Sequence, residues 1–210
     1  ALANAQELKR AAMGKLFTRG LRGEPRKETE IGLVPESWEI VPLNAICGAT
    51  DQVDLNTDGG RRIHYIDVSC VSRESLAVIT TNEYVLRNAP GRARKRVRAG
   101  DVIFATIRPT LRRVSRILPE LDNQICSTAF CVLRTEEPDG LGKFVYYAVQ
   151  RPEFVDLLAR IETGASYPAV TDRQVKSQLI PLPSQEEREQ IVAILDAIDR
   201  KIELHRKKRA

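Results

Sequence analysis

Apolar residues at helical spacing mark the C-terminal end of the chain. Four of them recur at intervals of four, three and four residues: Ile191, Leu195, Ile198 and Ile202. A narrow seam of this kind, with charged residues around it, is typical of a helix that packs against another helix. Ser184 follows a Pro-Leu-Pro sequence and Glu187 stands three residues later, which predicts a capping box. The pattern predicts a coiled-coil-type helix over residues 184–210.

The N-terminal end has a second helical pattern. Residues 7–17 are rich in helix formers and Gly20 is a suitable stop, which predicts a helix segment over residues 1–20. Leu8, Ala12 and Leu16 give this segment a face of small and apolar residues that permits a close helix approach. We expect the end helices of two chains to pair in a two-fold homodimer. The alternative is that the two ends of one chain pair with each other.

The region between the end helices has a mixed pattern. Residues 21–30 are polar, contain Gly23 and Pro25, and are predicted to be a linker. From 31 to 183, β-rich runs are combined with two helical patterns, which predicts an α+β domain with a mixed sheet. The expected strands are 63–68, 76–80, 102–107 and 124–133, and the expected helices are 144–150 and 153–161.

The positive charge of the chain is concentrated in one segment. The chain has 33 Lys and Arg against 28 Asp and Glu, a net charge of +5. Residues 87–116 alone contain ten basic residues and one acid, Asp101, which gives this segment a net charge of +9. Nine of the ten are arginines, whose planar guanidinium suits both phosphate and the edge of guanine. The distribution favours a nucleic acid as the partner of this segment.

Two groups of residues in this segment are candidates for contact. In the first group, residues 92–98, arginines alternate along an extended chain and therefore lie on one side of it. The second group, residues 108–116, follows the apolar strand 102–107 as a loop. We predict DNA contacts by Arg92, Arg94, Lys95, Arg96, Arg98, Arg108, Arg112, Arg113 and Arg116. Arg108, Arg112 and Arg113 are the expected guanine readers, because a loop after a strand is able to enter a groove. The alternative is a solvated strand whose charge is compensated by acids from elsewhere in the fold.

The motifs of common catalytic sites are absent from the sequence. There is no GxxxxGK[ST] loop, no HExxH, no GxSxG and no Asn/Asp-Pro-Pro-aromatic string of the amino-methyltransferases. We therefore expect no catalytic residue and no cofactor bound by this chain. Its four cysteines form no CxxC pair and its two histidines are far apart, so no metal site is expected. Cys126 and Cys131 are predicted to be buried thiols, which fits a reducing cytoplasm, and no apolar run predicts a membrane helix.

Several short segments occur in the order found in a known family. They are LFTRG at 16–20, IGLVPESWE at 31–39, AGDVIF at 99–104 followed by Arg108-Pro109, CSTAF at 126–130, TGASYP at 163–168, and IPLP at 180–183 followed by EREQI at 187–191. Each segment is short, but the ordered set covers nearly the whole chain. Together they resemble the specificity subunits of type I restriction–modification systems.

This resemblance implies a target-recognition domain over residues 31–183, flanked by helix segments that set the distance between two such domains. Within it, Pro35 and Trp38 are expected to pack the start of the domain, and Gly100 to make a turn. The implied function is sequence-specific recognition of double-stranded DNA by a non-catalytic subunit. Methyltransferase (modification) subunits would dock on the helices and bring S-adenosylmethionine, and a restriction/translocase subunit would bring ATP and magnesium. A full specificity subunit has two recognition domains and this chain has one, which a homodimer of half-subunits would restore.

Two functions of other classes are left open by the residues. One is a helical scaffold or adaptor protein whose basic segment binds an acidic partner. The other is an RNA-binding module, which uses exposed aromatic side chains to stack on bases. Between 87 and 116 the sequence has one aromatic residue, Phe104, in the apolar strand.

Overall fold

The structure of the chain, a computed structural model, describes residues 2–208. Its helices are α1 Leu2–Arg19, α2 Leu55–Asp58, α3 Lys143–Ala148, α4 Pro152–Ala159, α5 Asp172–Lys176 and α6 Gln185–Lys207. Its strands are β1 Arg26–Thr29, β2 Gly32–Pro35, β3 Glu39–Pro42, β4 Arg62–Ile66, β5 Asn82–Val85, β6 Ala93–Arg96, β7 Val102–Ala105, β8 Val114–Arg116, β9 Ile125–Ser127, β10 Phe130–Leu133 and β11 Leu179–Leu182. The fold class is α+β, as predicted.

The chain divides into two compact units. The helix unit comprises the chain up to Val41 and from Leu179 onward, and the sheet unit comprises Pro42–Gln178. The segments 31–41 and 179–183 therefore belong with the helices, whereas the sequence placed them in the recognition domain. Part of the predicted linker is also a strand, because β1 pairs with β2 in an antiparallel ribbon. The polar sequence of β1 gave no signal for a strand, since a two-stranded ribbon with little buried surface needs no apolar face.

In the helix unit, α1 and α6 run antiparallel and pack against each other. Lys9 of α1 forms an ion pair with Asp199 at 2.8 Å, whereas the Leu21 N–H, just beyond α1, donates to the Glu187 carboxylate at 2.7 Å near the start of α6. The predicted seam of α6 lies in this contact: Ile191, Leu195 and Ile202 are buried, and Ile198 is half-buried. The structure therefore has the intrachain pairing of the two ends, and this seam is not on the surface to join two chains.

The face predicted for α1 coincides only in part with the residues that this helix buries within the chain. Leu16 is buried and Ala12 half-buried, but Leu8 is 50% exposed. The buried positions of α1 are Ala5, Met13, Leu16 and Phe17. Because successive helical residues are about 100° apart, a stripe through these positions turns Leu8 toward solvent. The predicted end of α6 at 209–210 lies outside the described residues.

We expect Leu195→Ala to lower the free energy of unfolding by about 2–5 kcal/mol, because truncation of a fully buried leucine removes apolar contacts and leaves a cavity. The neighbouring Ile194 is 39% exposed, so Ile194→Ala is a matched control that should lower it by less than about 1 kcal/mol. Chemical denaturation of both variants measures the difference. Equal losses would contradict the α1–α6 packing described above.

The start of α6 is capped as predicted at Ser184 but not at Glu187. The Ser184 hydroxyl accepts a hydrogen bond from the Glu187 N–H at 3.4 Å. The Glu187 carboxylate, which a capping box would direct back to Ser184, instead accepts from the Trp38 indole N–H at 3.1 Å and from the Leu21 N–H. Trp38 is fully buried and Pro35 is buried, as the family resemblance implied. One buried carboxylate thus joins α6 to two other segments of the helix unit.

Two sheets build the sheet unit. The first has the strand order β5-β4-β9-β6, in which β4 and β9 are parallel and the other pairs antiparallel. The second is antiparallel, with the order β10-β7-β8. Apolar side chains from both sheets share one core cluster, which includes Ile66, Ile103, Cys126 and Phe130. The mixed sheet predicted from the sequence is therefore confirmed, although it is accompanied by a second sheet.

Two of the expected strands differ from the structure. The run 76–80 is not a strand, because Leu76 has a left-handed backbone with φ of 52° and only Val78 forms a bridge, to Val71. The run 124–133 is divided into β9 and β10. The two expected helices correspond to α3 and α4 with ends shifted by one or two residues. Gly100 makes the predicted turn, with φ of 89°.

Candidate DNA-binding surface

The alternation in the basic segment positions its arginines on one side of β6. Arg92 and Arg98 are exposed and Arg94 and Arg96 half-buried, whereas Ala93, Lys95 and Val97 between them are buried. Strand β6 is an edge of the four-stranded sheet and pairs with β9. Residues 51–53 cover the other flank of β6: the Val53 N–H donates to the Arg94 carbonyl and the Arg96 N–H to the Asp51 carbonyl, both at 2.9 Å. The arginine side chains, rather than the strand edge, are therefore what β6 offers to a ligand.

Lys95 is not available for a DNA contact, so the prediction for this residue is wrong. Its side chain is 7% exposed relative to an open chain. The ammonium group donates to the Phe130 carbonyl at 2.6 Å and to the Asp172 carboxylate at 2.5 Å. A buried lysine needs such partners, because an uncompensated buried charge is costly.

Carboxylates neutralise three of the predicted contact arginines. Arg96 pairs with Asp58 at 2.5 Å, Arg98 with Asp51 at 2.6 Å and Arg116 with Asp139 at 2.7 Å. The compensation by acids from elsewhere in the fold, considered above as the alternative, therefore applies to this part of the segment. Arg113 is occupied as well: its guanidinium donates to the Val68 carbonyl at 3.0 Å and to the Val71 carbonyl. Both bonds come from one terminal nitrogen, Nη1, so the Arg113 side chain is anchored on the protein backbone and its role as a guanine reader stays a prediction.

An arginine outside the basic segment completes this internal network. Arg134 donates to the buried Asp101 at 2.8 Å and to Asp51 at 3.0 Å. Hydrogen bonding to Asp101 raises the pKa of the Arg134 guanidinium above its ordinary value. Asp101, the one acid of the basic segment, is therefore satisfied internally and does not weaken the positive potential at the surface.

Six arginines of the basic segment have no acidic partner among the described residues. Two of them, Arg87 and Arg113, donate to backbone carbonyls of distant segments. We call the other four the arginine rim: Arg92, Arg94, Arg108 and Arg112. Backbone hydrogen bonds join the segments that carry three of them. The Thr128 N–H donates to the Arg92 carbonyl at 2.8 Å, and the Thr106 N–H donates to the Ala129 carbonyl at 2.8 Å. The chain of contacts thus runs from the start of β6, across the β9–β10 turn, to the end of β7 just before Arg108.

An exposed tyrosine adjoins the rim and was missed from the sequence. Tyr167 is 71% exposed, and the Arg108 guanidinium carbon lies 5.1 Å from the centre of its ring. Its segment joins the end of β7 through a hydrogen bond from the Arg108 N–H to the Pro168 carbonyl at 2.7 Å. The signal for it was present in the TGASYP segment, where an aromatic residue lies in a glycine-containing loop. Phe104 is buried, as its place in the apolar strand indicated.

The remaining chemistry of the described residues offers no competing site. All four cysteines are free and buried, and burial raises the pKa of Cys47 to about 11 and that of Cys131 to about 12. These thiols stay protonated at neutral pH and are poor nucleophiles. Between residues 2 and 208, no group of three or more His, Cys, Asp or Glu is placed to hold a metal ion. No helix in this part of the chain is long and apolar enough to cross a membrane.

Comparison with known proteins identifies the class of protein. The family model for the type I restriction modification DNA specificity domain matches residues 35–210, so the chain belongs to this family. It is 28% identical over 123 residues to the HindI specificity subunit of Haemophilus influenzae, a match that covers 57% of this chain and 27% of that subunit. It is 26% identical over 220 residues to the MjaVIII specificity subunit of Methanocaldococcus jannaschii, covering 96% of this chain and 49% of that subunit. The chain therefore spans half or less of these relatives.

Solved structures of specificity subunits are similar to this chain in fold. The HsdS subunit from Thermoanaerobacter tengcongensis has a TM-score of 0.71 and 37% identity, over 83% of this chain and 45% of that one. The S subunit of the type I restriction–modification system from M. genitalium has a TM-score of 0.60 over 99% of this chain and 50% of that one, at 13% identity. The second match shows a shared fold alone. The fold predicted from the family resemblance is confirmed.

Proposed function

We propose that this chain recognises one half of a split sequence in double-stranded DNA, as the specificity component of a type I restriction–modification complex in the cytoplasm. The observation that carries the proposal is the arginine rim, where four guanidinium groups lack the carboxylates that neutralise their neighbours. Positive charge without an internal partner is the electrostatic requirement for contact with phosphates. Membership of the specificity-domain family supports the same partner.

Under this proposal, the chain itself transfers no methyl group and cuts no DNA. Methyltransferase subunits would dock on the helix unit and supply S-adenosylmethionine, and a restriction/translocase subunit would supply ATP and magnesium. The helix pair has a surface suited to such docking: a groove of about 260 Å³ lined by Ala12, Lys15, Leu16, Gly20, Leu21 and Ile194. A second recognition domain would read the other half of the target.

The salt dependence of binding tests the proposal. If Arg92, Arg94 and Arg112 each contact one phosphate, the logarithm of the binding constant should fall against the logarithm of salt concentration with a slope of about −3, measured between about 50 and 200 mM salt on a mixed-sequence duplex. A slope near zero would contradict the proposal. The same titration with single-stranded RNA and with an acidic polypeptide separates the rivals. Tighter binding of either one would favour the RNA-binding module or the adaptor protein instead.

A further inference from the structure

Two arginines bracket the turn that follows β7, and both have an unusual backbone. Arg108 has φ of 50° and Arg112 has φ of 51°, on either side of the single 3-10 turn Pro109–Leu111. Glycine adopts this left-handed conformation without cost, whereas residues with a side chain are strained in it. The presence of arginine at both positions indicates that the side chains themselves have a role there.

The surroundings hold this strained turn in place. The Arg108 N–H donates to the Pro168 carbonyl at 2.7 Å, and the Arg112 N–H donates to the Pro109 carbonyl at 2.9 Å. The Arg113 guanidinium anchors the far side of the turn on the backbone after β4. The turn therefore presents the exposed side chains of Arg108 and Arg112 from a fixed backbone.

The loop that carries Tyr167 is equally constrained. Thr163 and Ala169 close it through two backbone hydrogen bonds of 3.0 and 2.9 Å. Gly164 has φ of 100°, and a Cβ atom at this position would lie 2.8 Å from the Tyr167 carbonyl oxygen. Only glycine fits without a shift of the backbone. The loop thus holds an aromatic ring in solvent beside Arg108, a placement that hydrophobicity alone disfavours.

The Arg108 guanidinium contacts the Tyr167 loop at two points. Its carbon lies 5.1 Å from the Tyr167 ring centre, and one of its terminal nitrogens lies 3.4 Å from the Ser166 carbonyl. A guanidinium that stacks through its face keeps N–H donors along its edge for an acceptor in the same plane. The guanine edge in the major groove presents two such acceptors, O6 and N7.

We propose that Arg108 reads a guanine of the DNA target and that Tyr167 is its positioning residue. This inference rests on the DNA recognition proposed above and adds the base and the residues that select it. A phosphate contact requires only positive charge, which a lysine would supply, whereas guanine recognition requires the flat fork in a fixed orientation. The contacts with the Tyr167 ring and the Ser166 carbonyl favour one orientation of the fork before DNA binds.

Selection of bound duplexes from a randomised pool tests this inference. The wild-type chain should enrich a motif that contains a guanine. Arg108→Lys keeps the charge but loses the fork, and Tyr167→Ala loses the stack, so both should reduce the preference for the same guanine by about 5- to 150-fold. Tyr167→Phe keeps the ring and should retain the preference within about twofold. Arg98→Lys, at an arginine already paired with Asp51, is the matched control and should select the wild-type motif.

The outcomes separate this inference from the function on which it rests. If the wild-type chain enriches no motif, the proposed recognition function fails with it. If the wild-type motif is enriched and Arg108→Lys selects it unchanged, the guanine reader is wrong and the recognition function stands. Loss of the preference in Tyr167→Phe would contradict positioning by the ring. Thermal unfolding should show no loss of stability in Arg108→Lys, since the side chain is exposed and lysine carries the same backbone strain as arginine at this position.

Discussion

The variant with Arg92→Ala, Arg108→Ala and Arg112→Ala should lose duplex binding by at least about 1000-fold at about 100 mM salt. Each substitution removes a guanidinium that has no acidic partner in the fold, and a hydrogen bond to a charged group contributes about 1.5–3 kcal/mol. The salt slope should fall in parallel, from about −3 to about −1, because the lost phosphate contacts of Arg92 and Arg112 each remove about one unit. Fluorescence anisotropy on a labelled duplex measures both quantities.

The control for this variant removes charge that the fold already neutralises. Arg96 and Asp58 form an ion pair at 2.5 Å, so Arg96→Gln with Asp58→Asn leaves the net charge unchanged. This double variant should bind with the wild-type salt slope and within about threefold of the wild-type affinity, because the charges of the half-buried Arg96 and Asp58 cancel each other and add little to the potential at the surface. A large loss in the control, or none in the triple variant, would contradict the assignment of the arginine rim.

Glu187→Ala should lower the free energy of unfolding by about 3–5 kcal/mol. The carboxylate is 1% exposed and accepts hydrogen bonds from the Trp38 indole at 3.1 Å and from the Leu21 backbone at 2.7 Å. Its removal leaves the buried Trp38 N–H without a partner, at a cost of about 1–3 kcal/mol, and also removes the bond to the partly buried Leu21 N–H and the packing of the Glu187 side chain. Urea denaturation measures the loss, which should affect the helix unit in which all three residues lie.

The neighbouring glutamate provides the matched control for this substitution. The Glu186 side chain is 76% exposed, and its oxygen lies 3.6 Å from the Arg22 guanidinium. Glu186→Ala should therefore change the free energy of unfolding by less than about 0.5 kcal/mol. A similar effect of the two substitutions would show that the loss comes from helix charge rather than from the buried contacts of Glu187.

The sequence identified the parts of the fold that depend on local periodicity. The seam of α6 was found because Ile191, Leu195 and Ile202 recur at helical spacing, and the cap at Ser184 because its signal is local. The same rule applied to Lys95 would have corrected its prediction. Side chains alternate between the two faces of a strand, so Lys95, which lies between Arg94 and Arg96, is on the opposite face from both. The structure buries Lys95 on that face.

The features that the sequence did not reveal depend on residues distant along the chain. Asp58 lies 38 positions from Arg96 and Asp51 lies 47 positions from Arg98, so their pairing is set by the topology of the sheets. The placement of Tyr167 beside Arg108 has the same origin. Charge density alone therefore predicted a binding segment, whereas the selection of four arginines within it required the three-dimensional positions of the acids.

The most direct test of the arginine rim is a photo-crosslinking experiment at two ends of the same hairpin. Thr110 is exposed between Arg108 and Arg112, and Leu118, 47% exposed, follows the other end of β8. A photoreactive phenylalanine analogue is placed at one position or the other, and the chain is irradiated with duplex DNA. We predict crosslinks from position 110 and none above background from position 118. Crosslinks from position 118 alone would contradict the proposal that this rim faces the DNA.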